Sequence, residues 1–237
     1  MTYLATILIL GFLIFIHELG HLLACWGTGI GVSRFSIGFG PVLWSWRKGQ
    51  TEYCLSAVPL GGYVLPAFES EAEFFGIAAW RRIVMWLGGP LANFVLAGVL
   101  LAIAGVLANG FSTYGLFVRP WTQTAEQTWQ IVTVLPTVFL HPSQLSGIVG
   151  IVAVGESFVG NGLVRAIQFA VMLNLNLAIF NLLPIAPLDG GKIFCCLLEK
   201  LHPRLARLHT GLAMVGLALL LVLFVYTTVL DVVRQLA

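Results

Sequence analysis

The chain has 237 residues, of which 59% are hydrophobic and only 9% are charged. An ordinary soluble domain has roughly 25% charged residues, so this composition excludes a soluble globular protein. The apolar residues form several long runs, which excludes a secreted protein with one cleaved signal peptide and indicates a polytopic protein of the lipid bilayer. The formal net charge is +2 and no dense basic cluster is present, so nucleic acid is not an expected partner.

Four stretches reach the roughly 20 apolar residues that a helix needs to cross the hydrocarbon core. We therefore expect an α-helical polytopic membrane protein whose four transmembrane helices cover residues 3–25, 83–107, 166–183 and 210–230. The loops after the first and third stretches hold nine of the 12 basic residues: Arg34, Arg47, Lys48, Arg81, Arg82, Lys192, Lys200, Arg204 and Arg207. Because cytoplasmic loops carry the excess of Lys and Arg, both loops should face the cytoplasm and both termini should lie outside.

The loop between the first two helices predicts a small membrane-associated β-structure over residues 31–66. Short runs of alternating character are separated there by glycine-rich turns. Gly61 and Gly62 permit another backbone to approach closely, so both are candidate substrate-binding positions.

The segment between the second and third helices, residues 109–144, has 36 residues and is too short for a typical separate domain. Within it, residues 122–140 have apolar residues at loose helical spacing. We expect this stretch to lie flat on the outer leaflet as an amphipathic helix.

The sharpest chemical signal is the motif that contains His17, Glu18 and His21, inside the first apolar stretch. Residues i and i+4 share one face of a helix, so both imidazoles can hold one Zn²⁺ ion. Glu18 is one residue along and can act as general base on a metal-bound water. A chance match is disfavoured, because ionisable residues at membrane depth are energetically costly and are usually there for a function.

A catalytic zinc site usually has three protein ligands, so the motif lacks one. His17 lies about 21 Å along a helix from Tyr3, toward the predicted cytoplasmic side. On that side Asp189 follows the third stretch, in a segment broken by prolines and glycines, as is typical of backbone that lines a wet cavity. Asp189 is the favoured third ligand, and the alternative is an ordinary helix cap. Weaker candidates, more typical of solvated charges, are Glu69, Glu71, Glu73 and Glu199.

Two amides lie in apolar helical stretches, Asn93 and Asn181, and each needs a hydrogen-bonding partner. They either join neighbouring helices to each other or hold the backbone or oxyanion of a substrate near the zinc. Both are therefore candidate substrate-binding residues.

Together these motifs resemble the site-2 protease family (M50) of intramembrane zinc metalloproteases, most closely its bacterial branch that cleaves anti-sigma factors. The segments that carry the resemblance are HELGH (17–21), RFSIGFG (34–40), PLGGYV (59–64), GPLANF (89–94), LSG (145–147) and NLLPIAPLDGG (181–191). The resemblance implies a single protease domain over residues 1–237, with zinc held by His17, His21 and Asp189 and with Glu18 as the base. That branch carries PDZ domains between the second and third helices, and the 36 residues here leave no room for one.

The resemblance also implies a bacterial inner-membrane location, an active site toward the cytoplasm and single-span membrane substrates, such as an anti-sigma factor or a signal-peptide remnant. The alternative function is a membrane metal transporter or metal-binding scaffold that uses the same histidines. Glu18 favours hydrolysis, because a transporter needs ligands along a path, whereas hydrolysis needs one non-ligand carboxylate beside one metal.

Overall fold

A computed structural model of the protein describes residues 2–68, 70–141, 145–201 and 208–236. Glu69, Arg204 and Arg207 lie outside the described residues, as does the side chain of Glu71. The described helices are α1 (Thr2–Thr28), α2 (Glu71–Gly76), α3 (Ala79–Asn109), α4 (Thr113–Phe117), α5 (Arg119–Leu140), α6 (Ile148–Val159), α7 (Leu163–Asn181), α8 (Asp189–Leu201) and α9 (Leu208–Leu236).

Four of these helices, α1, α3, α7 and α9, are long and apolar enough to cross a membrane. They confirm the predicted fold class, an α-helical membrane protein with four spans, and each of them overlaps one of the four apolar stretches. The protein is therefore a multi-pass membrane protein. The predicted amphipathic stretch forms most of α5, which begins at Arg119 with Pro120 in its first turn, where the missing N–H of proline has no helical partner to lose.

The predicted β-structure between the first two membrane helices is confirmed as two long strands, β1 (Val32–Lys48) and β2 (Thr51–Pro66). A tight turn at Gly49 and Gln50 joins them, and Gly49 has a φ of +63°, which glycine adopts without steric strain. β1 also bends at Gly38 and Gly40, which have φ values of +88° and +83°.

The bend in β1 gives the sheet its order. Residues 32–37 pair antiparallel with residues 62–66 on one side and also pair with residues 52–55, while residues 42–48 pair antiparallel with residues 51–56. The first half of β1 thus lies between the two halves of β2. Among the described residues, segment 62–66 forms one edge of the sheet, and its outer hydrogen-bonding groups have no strand beside them.

The chain divides into two compact units. The first unit consists of Met1–Ile9, Phe94–Ile179 and Met214–Ala237, and the second of Leu10–Asn93 and Phe180–Ala213. The core of the first unit joins α3 to α7 through Ala97, Leu101, Val171 and Leu175. The core of the second unit joins α1, β1, α2 and α3 through Leu22, Cys25, Ile30, Val32, Phe35, Phe74 and Met85. Every predicted site residue whose side chain the structure describes lies in the second unit.

Candidate metal centre

The two histidines of the sequence motif lie one turn apart on α1, and both are buried. Their Nε2 atoms are 3.3 Å apart. Oδ2 of Asp189 lies 3.1 Å from Nε2 of His17 and 3.2 Å from Nε2 of His21. Among the described residues, these three form the one group of at least three His, Cys, Asp or Glu residues whose ligand atoms lie within 4.8 Å of one another.

Asp189 is placed by the glycines that follow it at the start of α8. A Cβ atom at Gly190 would collide with the backbone of Leu182, and one at Gly191 would collide with the backbone of Ile185. Glycine at both positions therefore lets α8 begin tightly against the preceding turn. The carboxylate of Asp189 lies in the first helical turn, where the positive end of the helix dipole favours an anion.

Small residues bring α3 against the zinc-motif face of α1. Gly20 lies against Gly88, and a Cβ atom on either glycine would collide with the backbone of the other; Ala24 and Ala92 pack beside them. Such a small-residue contact lets two membrane helices approach closely. The α3 helix runs through Pro90 without a break, although the proline removes one backbone hydrogen bond.

The close approach of α3 gives each imidazole a partner at its other nitrogen. Nδ1 of His21 lies 2.8 Å from the carbonyl oxygen of Met85. Because that oxygen can only accept, Nδ1 carries the hydrogen and the lone pair of Nε2 is free for a metal. Nδ1 of His17 lies 3.1 Å from the side-chain amide of the fully buried Asn93. Rotating the amide group by 180° would place its Oδ1 next to Nδ1 of His17. Nδ1 would then carry the hydrogen, and the lone pair of Nε2 would be free for a metal, as in His21.

The three donor atoms fit a divalent zinc ion. Two imidazole nitrogens and one carboxylate oxygen match the ligands of catalytic zinc sites. Gly89 supplies space beside them: a Cβ atom there would lie 2.5 Å from Nε2 of His21 and 2.7 Å from Nε2 of His17. The carboxylate of Asp189 would bind zinc in its ionised form and the two imidazoles in their neutral form, as zinc ligands must.

Glu18 lies beside the edge of the sheet and is not a member of the three-residue group. A Cβ atom on Gly62 would lie 2.8 Å from Cγ of Glu18 and equally close to the carbonyl oxygen of Ser36. A side chain at residue 62 would therefore press on Glu18. The half-buried carboxylate is thus adjacent to the edge segment 62–66.

The other candidate residues have different surroundings. Gly61 packs against the ring of Phe39, which occupies the space of a side chain. Asn181 is the last residue of α7, and within the described part of the chain no hydrogen bond joins its amide to the zinc-motif residues or to Asp189. Glu199 pairs with Arg82 at 2.8 Å, and Glu73 is exposed, so neither joins the ligand group.

Sequence reasoning missed two contributors to the site. Nζ of Lys192 lies 3.7 Å from Oδ1 of Asp189 and 4.0 Å from the ring centroid of Trp86. Its spacing of three residues from Asp189 at the start of a helix was a usable signal. The carbonyl of Met85 had no such signal, because every residue carries a backbone carbonyl.

Comparison with known proteins gives a consistent picture. The model of Peptidase family M50 matches residues 5–223. A protein of Chlamydia trachomatis, named as a candidate zinc metalloprotease, is 39% identical over 127 aligned positions that cover 45% of this chain and 20% of that protein. Zinc metalloprotease Rip1 of Mycobacterium tuberculosis is 38% identical over 96 aligned positions that cover 36% of this chain and 24% of that protein.

A further relative, from Clostridium acetobutylicum and also named as a candidate zinc metalloprotease, is 25% identical over 329 aligned positions that cover 96% of both chains. Because this chain has 237 residues, the alignment includes residues of the relative that have no counterpart here. The matches to the Chlamydia and Mycobacterium proteins, by contrast, span a quarter or less of those proteins.

Proposed function

Because the chain belongs to peptidase family M50, we propose that it is an intramembrane zinc metalloprotease of the site-2 protease type. It would hydrolyse a peptide bond in or near the transmembrane segment of a membrane-protein substrate. The observation that carries this proposal is the buried convergence of His17, His21 and Asp189 beside Glu18, a carboxylate that is outside the ligand group. A zinc protease needs this combination of three ligands and one free base.

Each residue of the centre has a distinct role in the proposal. His17, His21 and Asp189 hold the zinc ion, and the contacts at Nδ1 of the two histidines fix which ring nitrogen faces it. When bound, zinc would lower the pKa of a water molecule toward 7 and would polarise the scissile carbonyl. Glu18 accepts the proton of the attacking water and later transfers it to the leaving amine.

The sheet edge offers a way to present the substrate to Glu18. A helical peptide bond is enclosed by its own hydrogen bonds, so the substrate must unwind before attack. Segment 62–66 has outer backbone groups that can pair with an unwound strand, and its first residue, Gly62, adjoins Glu18. Gly61 and Gly62 stay candidate substrate-binding positions, and Asn181 stays a candidate for holding a substrate carbonyl. For Asn93, the contact with His17 favours a role in orienting that ligand.

A membrane metal transporter or scaffold fits the molecule less well. Transport needs a succession of ligand groups along a path through the membrane. In the described ranges, one such group is present, and it has a non-ligand carboxylate beside it. Hydrolysis uses both features.

The proposal extends to the cellular setting. Residues 1–237 would act as one protease domain in the bacterial inner membrane, with the metal centre toward the cytoplasm and both termini outside. The substrates would be single-span membrane proteins, such as an anti-sigma factor or a signal-peptide remnant.

The test is to co-express the chain with a library of single-span proteins and to compare their cleavage with that by Glu18→Gln. The amide cannot accept a proton, so we expect Glu18→Gln to abolish cleavage while the purified protein keeps its zinc. Glu126→Gln, which changes an exposed carboxylate on α5, is the matched control and should cleave normally. Unchanged cleavage by Glu18→Gln, or zinc-free wild-type protein after purification without chelators, would show that the proposal is wrong.

A further inference from the structure

The first unit contains a crevice that the proposed protease chemistry does not use. Its volume is about 420 Å³, within the range of roughly 300–1,000 Å³ that is typical of ligand sites. Its walls are the C-terminal end of α3, the helices α4 and α5, and the N-terminal end of α7. The α5 wall packs closely on α3 because the ring of Trp121 lies over Gly98. A Cβ atom at Gly98 would lie 2.5 Å from that ring.

One side of the crevice is a polar stripe. Arg119, Gln123 and Gln127 recur at intervals of four residues along α5, and Gln168 of α7 also lines the space. In the parts of the chain that the structure describes, no hydrogen bond or ion pair engages these four side chains. Arg119 carries the one formal charge among the lining residues, so the crevice is cationic.

The crevice also reaches deep into the apolar part of the helices. Leu101 lies eight residues before the end of α3, and Val171 lies eight residues after the start of α7, so each is about 12 Å from its helix end. Both line the crevice, and both belong to the buried core between α3 and α7. A cationic, amide-rich stripe thus adjoins an apolar floor.

We propose that this crevice binds an anionic phospholipid, with the phosphate of its headgroup against Arg119 and an acyl chain toward Leu101 and Val171. Guanidinium groups form paired hydrogen bonds with phosphate oxygens, and the amides of Gln123 and Gln127 add N–H donors. Free phosphate would leave the apolar floor unused. A peptide segment could form hydrogen bonds with the glutamine amides. The combination of one cation and an apolar floor, however, matches the phosphate and the acyl chain of a lipid more directly.

Native mass spectrometry of the full chain, released from nanodiscs of equal parts phosphatidylglycerol and phosphatidylcholine, tests the proposal. We expect wild-type protein to retain one phosphatidylglycerol molecule in preference to phosphatidylcholine. Arg119→Gln should weaken this retention roughly ten-fold, because a charge-assisted hydrogen bond is lost. Arg165→Gln, an exposed arginine of α7 that does not line the crevice, should retain the lipid as the wild type does. Gln127→Leu provides a second variant, which keeps the charge and should show a smaller loss.

Four results would overturn the proposal. The first is equal retention by the wild type and Arg119→Gln. The second is an equal loss in Arg119→Gln and Arg165→Gln, which would indicate general attraction of anionic lipid to basic residues. The third comes from replacing Gln127 with a photo-crosslinking residue and irradiating native membranes. Crosslinks to protein and not to lipid would indicate that a peptide segment occupies the crevice. Displacement of the lipid by millimolar inorganic phosphate would likewise identify a soluble anion as the ligand.

Discussion

The two imidazoles of the candidate metal centre are oriented by partners of different kinds. His21 uses a backbone carbonyl of α3, and His17 uses the side chain of Asn93. Outer partners of metal-binding histidines fix the ring and raise its basicity, and their loss typically lowers metal affinity by about 10–100-fold. The partner at Met85 is a backbone carbonyl, so it remains after any substitution of that residue. The partner at Asn93 is a side-chain amide, so substitution can remove it. The role of Asn93 can therefore be tested directly.

We expect Asn93→Leu to lower the zinc affinity of the purified protein by roughly 10–100-fold. Asn93→Asp should retain most of the affinity, because a carboxylate can accept the hydrogen of Nδ1. Competition with a chromophoric chelator measures both values, and Asn176→Leu, at a half-buried amide of α7 that donates to the Met172 carbonyl of the same helix, is the control. Wild-type zinc affinity together with lost cleavage in Asn93→Leu would instead assign Asn93 to substrate binding.

Ligand and base should separate in a second pair of variants. Asp189→Ala removes one of three donors, so both zinc content and cleavage should fall, whereas Glu18→Gln should lose cleavage alone. Zinc per protein is measured by atomic absorption after gel filtration, with Glu73→Gln as the exposed-carboxylate control. Full zinc occupancy in Asp189→Ala would remove this residue from the ligand set.

At the scale of secondary-structure elements, the bent β1 strand determines which backbone groups can meet a substrate. Because its first half is paired on both sides, segment 62–66 of β2 forms one edge and residues 42–48 form the other. Of these two edges, segment 62–66 contains the glycine that adjoins Glu18. The two edges therefore offer a test segment and a matched control within one sheet.

We replace Tyr63, Val64 and Leu65 singly by proline. Cleavage of the substrate should fall for those replacements that remove an outward-pointing N–H, while the zinc content of the enzyme stays normal. Each such proline removes one main-chain donor, worth about 0.5–1.5 kcal/mol, so a reduction of roughly two- to ten-fold is expected. Proline at Ser45, in the opposite edge, is the control. Gly62→Ala should also impair cleavage, because its Cβ atom would press on Glu18. Cleavage rates that none of the prolines in 63–65 alters would contradict strand pairing at this edge.

At the scale of the whole molecule, the features that were predictable from sequence are those with a local signature. Each membrane helix is visible as an apolar run, and the four-residue spacing of His17 and His21 is fixed by helical geometry. The proline- and glycine-rich break around Asp189 identified a third ligand candidate that the fold brings within 3.2 Å of both imidazoles.

What escaped prediction depends on contacts between distant parts of the chain. The alternation in residues 31–66 predicts strands, but it does not reveal that residues 32–37 pair on both sides. Proline usually breaks a helix interior, yet α3 continues through Pro90, and the small residues of α3 allow α1 to pack closely. The contact between Asn93 and His17 follows from that helix packing, which a single sequence does not specify.

Membrane orientation is the last prediction, and it rests on charge. Nine of the 12 basic residues fall in the two loops predicted to be cytoplasmic, and such loops carry the excess of Lys and Arg. Cysteine introduced at Gln50 or Lys200 should therefore be protected from an impermeant maleimide added to intact cells, and cysteine at Glu126 should react. All three positions are exposed, so permeabilised cells should label each of them. The native cysteines give a low background because Cys25, Cys54, Cys195 and Cys196 are all buried. Labelling at Gln50 and Lys200 with protection at Glu126 would show that the orientation is reversed. Asp189, which begins the helix that contains Lys200, would then lie toward the outer face.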